Sequence, residues 1–158
     1  MKMTPSAIVI GSLLILISVV LVVIVLPYAD TSKTIPSELF RTRTAMEEKG
    51  RNLYVSNGCV YCHTQSIRSV DWGLGAERLA QAGDYLKDYP ILLGSQRTGP
   101  DLSQQGGEHP DDWHQAHFTN PRYTRPLSIM PPFKFLKQDN LDLLIRYTQS
   151  LGLKNADL

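Results

Sequence analysis

Net charge is almost missing from this chain: 16 lysines and arginines stand against 15 aspartates and glutamates, a formal +1 over 158 residues. That balance offers no electrostatic footprint for a phosphate backbone, and no run of like charges forms a tail, so nucleic acid is excluded as a partner. Cysteine is scarce as well, with two in the whole chain; without a second cysteine pair, a four-ligand zinc site would have to be completed irregularly by His109, His114 and His117. Alternating apolar and polar runs are absent, which argues against strands, and there is no internal repeat or low-complexity tract.

What is present is unevenly placed. From Ala7 to Leu26 there is no charge, and every residue except Gly11, Ser12 and Ser18 is apolar. As helix this run extends about 30 Å at roughly 1.5 Å per residue, the thickness of a bilayer's hydrocarbon core. A cleavable signal peptide is the competing reading. The apolar run is long for one, and Pro27-Tyr28-Ala29 is a poor cleavage site, so the sequence favours an uncleaved anchor. The expected organisation is an anchor over 1–28, a polar linker over 29–43 and one globular domain over 44–158.

The domain reads as mostly helical with long loops. Thr44 with Glu47 makes a capping-box pattern before a face of Met46, Gly50, Leu53 and Tyr54, and Gly58 ends the helix. On that face Gly50 would let another helix come close, and Met46 reads as a core methionine. A short helix is expected over Asp111 to Phe118. At the far end Asp139 reads as a cap before a stripe of Leu141, Leu144, Ile145, Thr148 and Leu151, closed by Gly152. So many irregular connections leave a side-chain core thin, and a large buried cofactor would supply apolar contacts.

Both cysteines fall in Cys59-Val60-Tyr61-Cys62-His63, directly after the first globular helix. Cys-x-x-Cys-His is the attachment pattern of c-type haem: two thiols three residues apart can each join a vinyl group of one porphyrin, which leaves the adjacent imidazole beneath the iron. A thioredoxin-like pair would need a βαβ pattern that the chain lacks, and a plain disulfide would leave His63 without a role. Covalent haem attachment takes place outside the cytoplasm in bacteria. The domain is therefore expected on the outer face of the cell membrane with the amino terminus inside, although the basic residues Lys33, Arg41 and Arg43 after the span outnumber Lys2 before it.

For the sixth ligand, Met130 stands in a loop stiffened by Pro131 and Pro132 just before the last helix. His63 and Met130 are the expected axial pair, which raises the reduction potential and leaves no open site for oxygen. His114 and His117, three residues apart, read as hydrogen-bonding residues of the fold or an interface, and Trp113 and Tyr54 as packing residues. Arg68, Arg97, Arg122 and Arg125 are candidates to pair with haem propionates or a partner's carboxylates.

Thr98-Gly99-Pro100-Asp101-Leu102 resembles a loop of class I cytochromes c, and the resemblance implies that the Pro100 carbonyl accepts a hydrogen bond from the proximal His63 and that Leu102 belongs to the haem site. A longer series runs from Gly50 to about Leu136: Gly58-Cys59-x-x-Cys62-His63-x-Gln65-x-Ile67-Arg68, Glu77-Arg78, Ala82-Gly83-Asp84, Gly94-Ser95-x-Arg97, Asp112-Trp113-His114-x-x-His117-x-x-Asn120-Pro121-Arg122 and Ser128-x-Met130-Pro131-x-Phe133. It is similar to the membrane-anchored monohaem subunit of cbb-type haem-copper cytochrome c oxidases. That resemblance implies a mostly α fold with one transmembrane helix, a class I cytochrome c-like domain and one covalent haem c. It also implies a polytopic catalytic haem-copper subunit as partner, with electrons delivered by another cytochrome c subunit or a soluble one. The small subunit of nitric oxide reductase and a haem sensor or peroxidase-like protein are the alternatives. The stretch Ser66 to Gln96, long for a minimal cytochrome c, reads as a contact surface for the catalytic subunit.

Overall fold

The computed structural model describes residues 4–74, 78–94 and 97–152, in two compact units, Met1–Ile35 and Pro36–Leu158. Among the described residues the regular structure is all helical.

The first unit is one helix, α1 (Pro5–Thr31), 27 residues long and apolar enough to cross a membrane. Thr4 caps it, its hydroxyl accepting from the Ala7 amide, with Pro5 in the first turn where a missing N–H costs nothing. The helix does not stop before Pro27, as the apolar run does. It widens to a π-helical stretch at Leu21–Val25 and carries on to Thr31. A proline inside an α-helix loses one hydrogen bond and pushes on the carbonyl of the preceding turn, and a π stretch just before it is one way to accommodate that. No α1 residue is buried by the protein, so its apolar surface is left for another apolar medium.

The second unit opens with a segment that is less of a tether than its composition implies. Ser37 hydrogen-bonds Asp84, Arg41 pairs with Glu47 at 2.6 Å, and Arg43 grips both oxygens of Asp88 at 2.5 and 2.9 Å. Helix α2 (Ala45–Ser56) follows, with the Thr44–Glu47 capping box formed in both directions. Gly58 ends it at φ +75°, a left-handed conformation that only glycine adopts without strain.

Helix α3 (Asp111–Thr119) and helix α4 (Gln138–Gln149) complete the frame. Leu141, Leu144, Ile145, Thr148 and Leu151 are all buried, as the stripe requires, and Tyr147 joins them. Each large apolar side chain in this stripe contributes roughly 1.5–3 kcal/mol of burial before conformational entropy is charged against it. The start of α4 differs from the sequence expectation. Lys137 is its cap residue, without a side-chain cap bond, and Asp139 sits inside the first turn, where its charge complements the helix dipole.

Helices α2 and α4 cross at Gly50, where a Cβ would lie 2.1 Å from the Leu143 carbonyl oxygen and 2.7 Å from the Tyr147 Cβ. The buried face of α2 is Gly50, Arg51 and Tyr54. Met46 is exposed, contrary to its expected core role; it lies in the first turn, ahead of the crossing. The unforeseen member is Arg51, whose guanidinium donates to the carbonyls of Tyr89 and Pro90. It thereby fastens the Ser66-to-Gln96 stretch to the frame, parts of which, including Glu77 and Ser95, lie outside the described residues.

Gly50→Ala is expected to force the two helices apart and cost about 1–3 kcal/mol of stability, read as a lower midpoint in denaturant unfolding.

Candidate functional site

The turn after α2 brings the chemistry together. Cys59–Tyr61 is a single 3₁₀ turn, in which the Cys62 and His63 amides both donate to the Cys59 carbonyl at 3.2 and 3.0 Å. The two cysteines are free thiols, Cys59 buried and Cys62 exposed. Burial pushes the Cys59 thiol up to about 11, so it is protonated at neutral pH.

A second loop is clamped beneath this turn. The Thr98 and Gly99 amides donate to the Cys62 carbonyl at 3.1 and 2.9 Å, and the Leu102 amide to the Thr64 carbonyl at 2.9 Å. Asp101 binds the same segment with its side chain, accepting from the Thr64 hydroxyl and from the Ser66 amide at 2.9 Å, while its other oxygen accepts from the Ser103 amide of its own loop at 2.8 Å. Arg97 adds bonds to Thr64 and Asp101 at 3.0 and 3.2 Å.

The clamp puts the Pro100 carbonyl 2.9 Å from His63 Nδ1. A carbonyl can only accept, so Nδ1 carries the proton and Nε2 keeps its lone pair, the form a metal ligand needs. Burial lowers the His63 pKa, which keeps the imidazole neutral against the opposing pull of that carbonyl and of Asp101. Gly99 leaves the room: a Cβ there would meet His63 Cε1 at 2.4 Å.

His63 faces a cavity of about 750 Å³ whose wall includes Cys59, Cys62, Pro100, Leu102 and Met130. Thus all six residues expected from the sequence meet at one place, although they come from three separate segments. Tyr54, Phe118, Phe133 and Leu127 supply apolar wall. Met130 is held from its own loop, its amide donating to Ser128 Oγ and its carbonyl accepting from Arg122, both at 3.2 Å. The Phe133 amide donates to the Phe118 carbonyl at 2.8 Å, tying that loop to α3.

Helix α3 lays a stack of rings along the wall. Trp113 lies between His109, with centroids 3.9 Å apart, and His117, 4.6 Å away and nearly parallel. Thr124 donates to the Pro121 carbonyl at 3.2 Å and so accepts from His117 Nδ1 at 2.6 Å. Burial, with further lowering from neighbouring histidines and Arg125, takes His117 down to about 4, so it is neutral at pH 7.

The four arginines divide. Arg68 and Arg97 both pair with Asp71, Arg122 bonds Asn120 and the Met130 carbonyl, and Arg125 lines the cavity. The sequence reading overlooked Asp101, Thr64 and Asp71 as the groups that hold the two loops together. The signal was faint: a threonine and two aspartates, whose partners across the two loops lie 26 to 37 positions away.

The site suits one haem. Its volume falls in the range of cofactor pockets, and its wall is apolar with few polar groups. It offers two free thiols for attachment, with an imidazole and a thioether as axial donors. Among the described residues no three His, Cys, Asp or Glu converge to hold a metal ion.

Residues 1–155 match the family described as "Cytochrome C oxidase, mono-heme subunit/FixO". No curated protein matches the chain.

Gly99→Val is expected to push the His63 ring off the Pro100 carbonyl, lowering haem retention and the reduction potential, measured by the Soret absorbance per protein and by redox titration.

Proposed function

The chain belongs to the FixO family of mono-haem cytochrome c oxidase subunits, and we propose that within such an oxidase it holds one covalent haem c and passes single electrons through it to the catalytic haem b and copper subunit. What supports this reading above all is the meeting of two thiols, an oriented imidazole and a loop thioether around one apolar cavity. The family match favours the oxidase over nitric oxide reductase, and Met130 at the cavity wall disfavours a sensor or peroxidase with an open distal side.

A haem c supplies a one-electron couple when bound. The chain's own residues do the rest. Cys59 and Cys62 would hold the group covalently, through thioethers to its two vinyl groups. His63 would offer Nε2 as a donor to the group, its tautomer and tilt set by the bond to the Pro100 carbonyl. Met130, at the cavity wall, would offer its thioether sulfur, a soft donor that would favour the reduced state of the group. Leu102, Phe118 and Phe133 line the cavity and would keep water from the group, and Arg125, also in the lining, would meet a propionate. α1 anchors the subunit in the bacterial cell membrane, with the haem domain, from residue 44 on, at the outer face. A second cytochrome c, fixed or soluble, supplies the electrons.

On a denaturing gel the wild-type chain is expected to stain for haem, and the Cys59→Ser/Cys62→Ser variant to lose the stain; pigment released from the wild type into acid acetone would refute covalent attachment. Met130→Ala is expected to lower the potential by on the order of 0.1 V, to allow fast carbon monoxide binding by the reduced protein, and to slow oxygen consumption by the assembled oxidase.

A further inference from the structure

The loop that carries Met130 has more apolar surface on its outside than the cavity uses. Leu127 is 97% exposed and Ile129 80%, yet both stand at the cavity's edge. Tyr123 and Phe135 are also exposed, and the Phe135 ring lies 5.8 Å from Phe133 of the cavity wall. Monomeric surfaces rarely cluster large apolar side chains this way unless something binds there.

The same segment is charged with one sign. Between Asn120 and Gln138 there is no aspartate or glutamate, while Arg122, Arg125, Lys134 and Lys137 are all present and all exposed. The domain as a whole is neutral, so its remaining surface leans acidic. This asymmetry makes the cavity edge a positive pole.

We propose that the segment from Pro121 to Lys137 is the docking surface for a diffusing electron donor, a small redox protein whose contact face is apolar at its centre and rimmed with carboxylates. The inference rests on the electron-transfer reading above. The charge decides between a diffusing partner and a permanent subunit. Burying this many cations in a lasting interface costs desolvation with uncertain return. Steering an acidic partner to within reach of the haem edge, by contrast, raises the association rate without needing full burial. The exposed leucine, isoleucine and aromatic rings then supply the short-lived contact, of the small size typical of electron-transfer encounters.

The test is stopped-flow reduction of the full-length, haem-loaded protein by a small acidic c-type cytochrome, with neutral hydroquinone as a reductant that needs no docking. For the wild type, the second-order rate with the acidic cytochrome is expected to fall about tenfold or more as salt rises from low to physiological strength. Lys134→Glu/Lys137→Glu should slow it by about tenfold at low salt and flatten the salt dependence, while Phe135→Asp should slow it at every salt concentration. Hydroquinone rates and the reduction potential should be unchanged in both variants. A salt-independent wild-type rate, or variants as fast as the wild type, would overturn the docking surface alone. So would a Phe135→Asp oxidase that loses the subunit on purification, since that marks a permanent contact. A wild-type protein that hydroquinone cannot reduce would instead overturn the electron-transfer reading itself.

Discussion

One hydrogen bond organises the haem domain: His63 Nδ1 to the Pro100 carbonyl. It is useful only if both ends are rigid, and most of the polar network nearby serves that end. The Cys62 carbonyl takes two amides from the opposite loop, and Asp101 gives one oxygen to the segment that follows His63 and the other to its own loop at Ser103. Arg97 pairs with Asp101 and with the buried Asp71, which Arg68 also pairs. A charge-assisted network of this kind is stabilising only when every member is satisfied. That explains why arginines with the right chemistry for propionates are spent on aspartates here.

The apolar part of the structure supports that network from behind. Helices α2 and α4 pack at Gly50, and Tyr147, fully buried at the crossing, donates its hydroxyl to Gln65 two residues after His63. The core is thus coupled to the haem-binding turn by a direct bond. Electrostatics then separates two faces of the domain. The linker side is a set of closed ion pairs, Arg41–Glu47, Arg43–Asp88 and Arg78–Asp84. The Met130 loop instead carries Arg122, Lys134 and Lys137 exposed beside apolar rings, with Arg125 at the cavity wall. Closed pairs stiffen the first face, and the proposed docking surface would use the charge of the second.

Much of this was legible in the linear chain because it depends on neighbours in sequence. The apolar run, the capping box at Thr44, the stripe of α4 and the Cys-x-x-Cys-His spacing are all local patterns, set by helix periodicity and by the reach of two thiols. Close packing at Gly50 could be anticipated from the glycine's place on a helix face. The misreadings were at the start of the last helix, where Asp139 is not the cap, and at Met46. In each, local chemistry allowed two outcomes, and the folded chain selected between them.

What the sequence settled by itself, then, was the chemistry available: which donors exist, and that two thiols and an imidazole must stand together. The tertiary structure decided what no spacing encodes: that residues 63, 100 and 130 share a cavity, that Arg51 ties a distant loop to a helix, and that Arg125 rather than Arg97 lines that cavity. The reason is physical. A side chain's partner across a fold is chosen by which backbone segments pack, and the free energy of that choice is spread over the whole core.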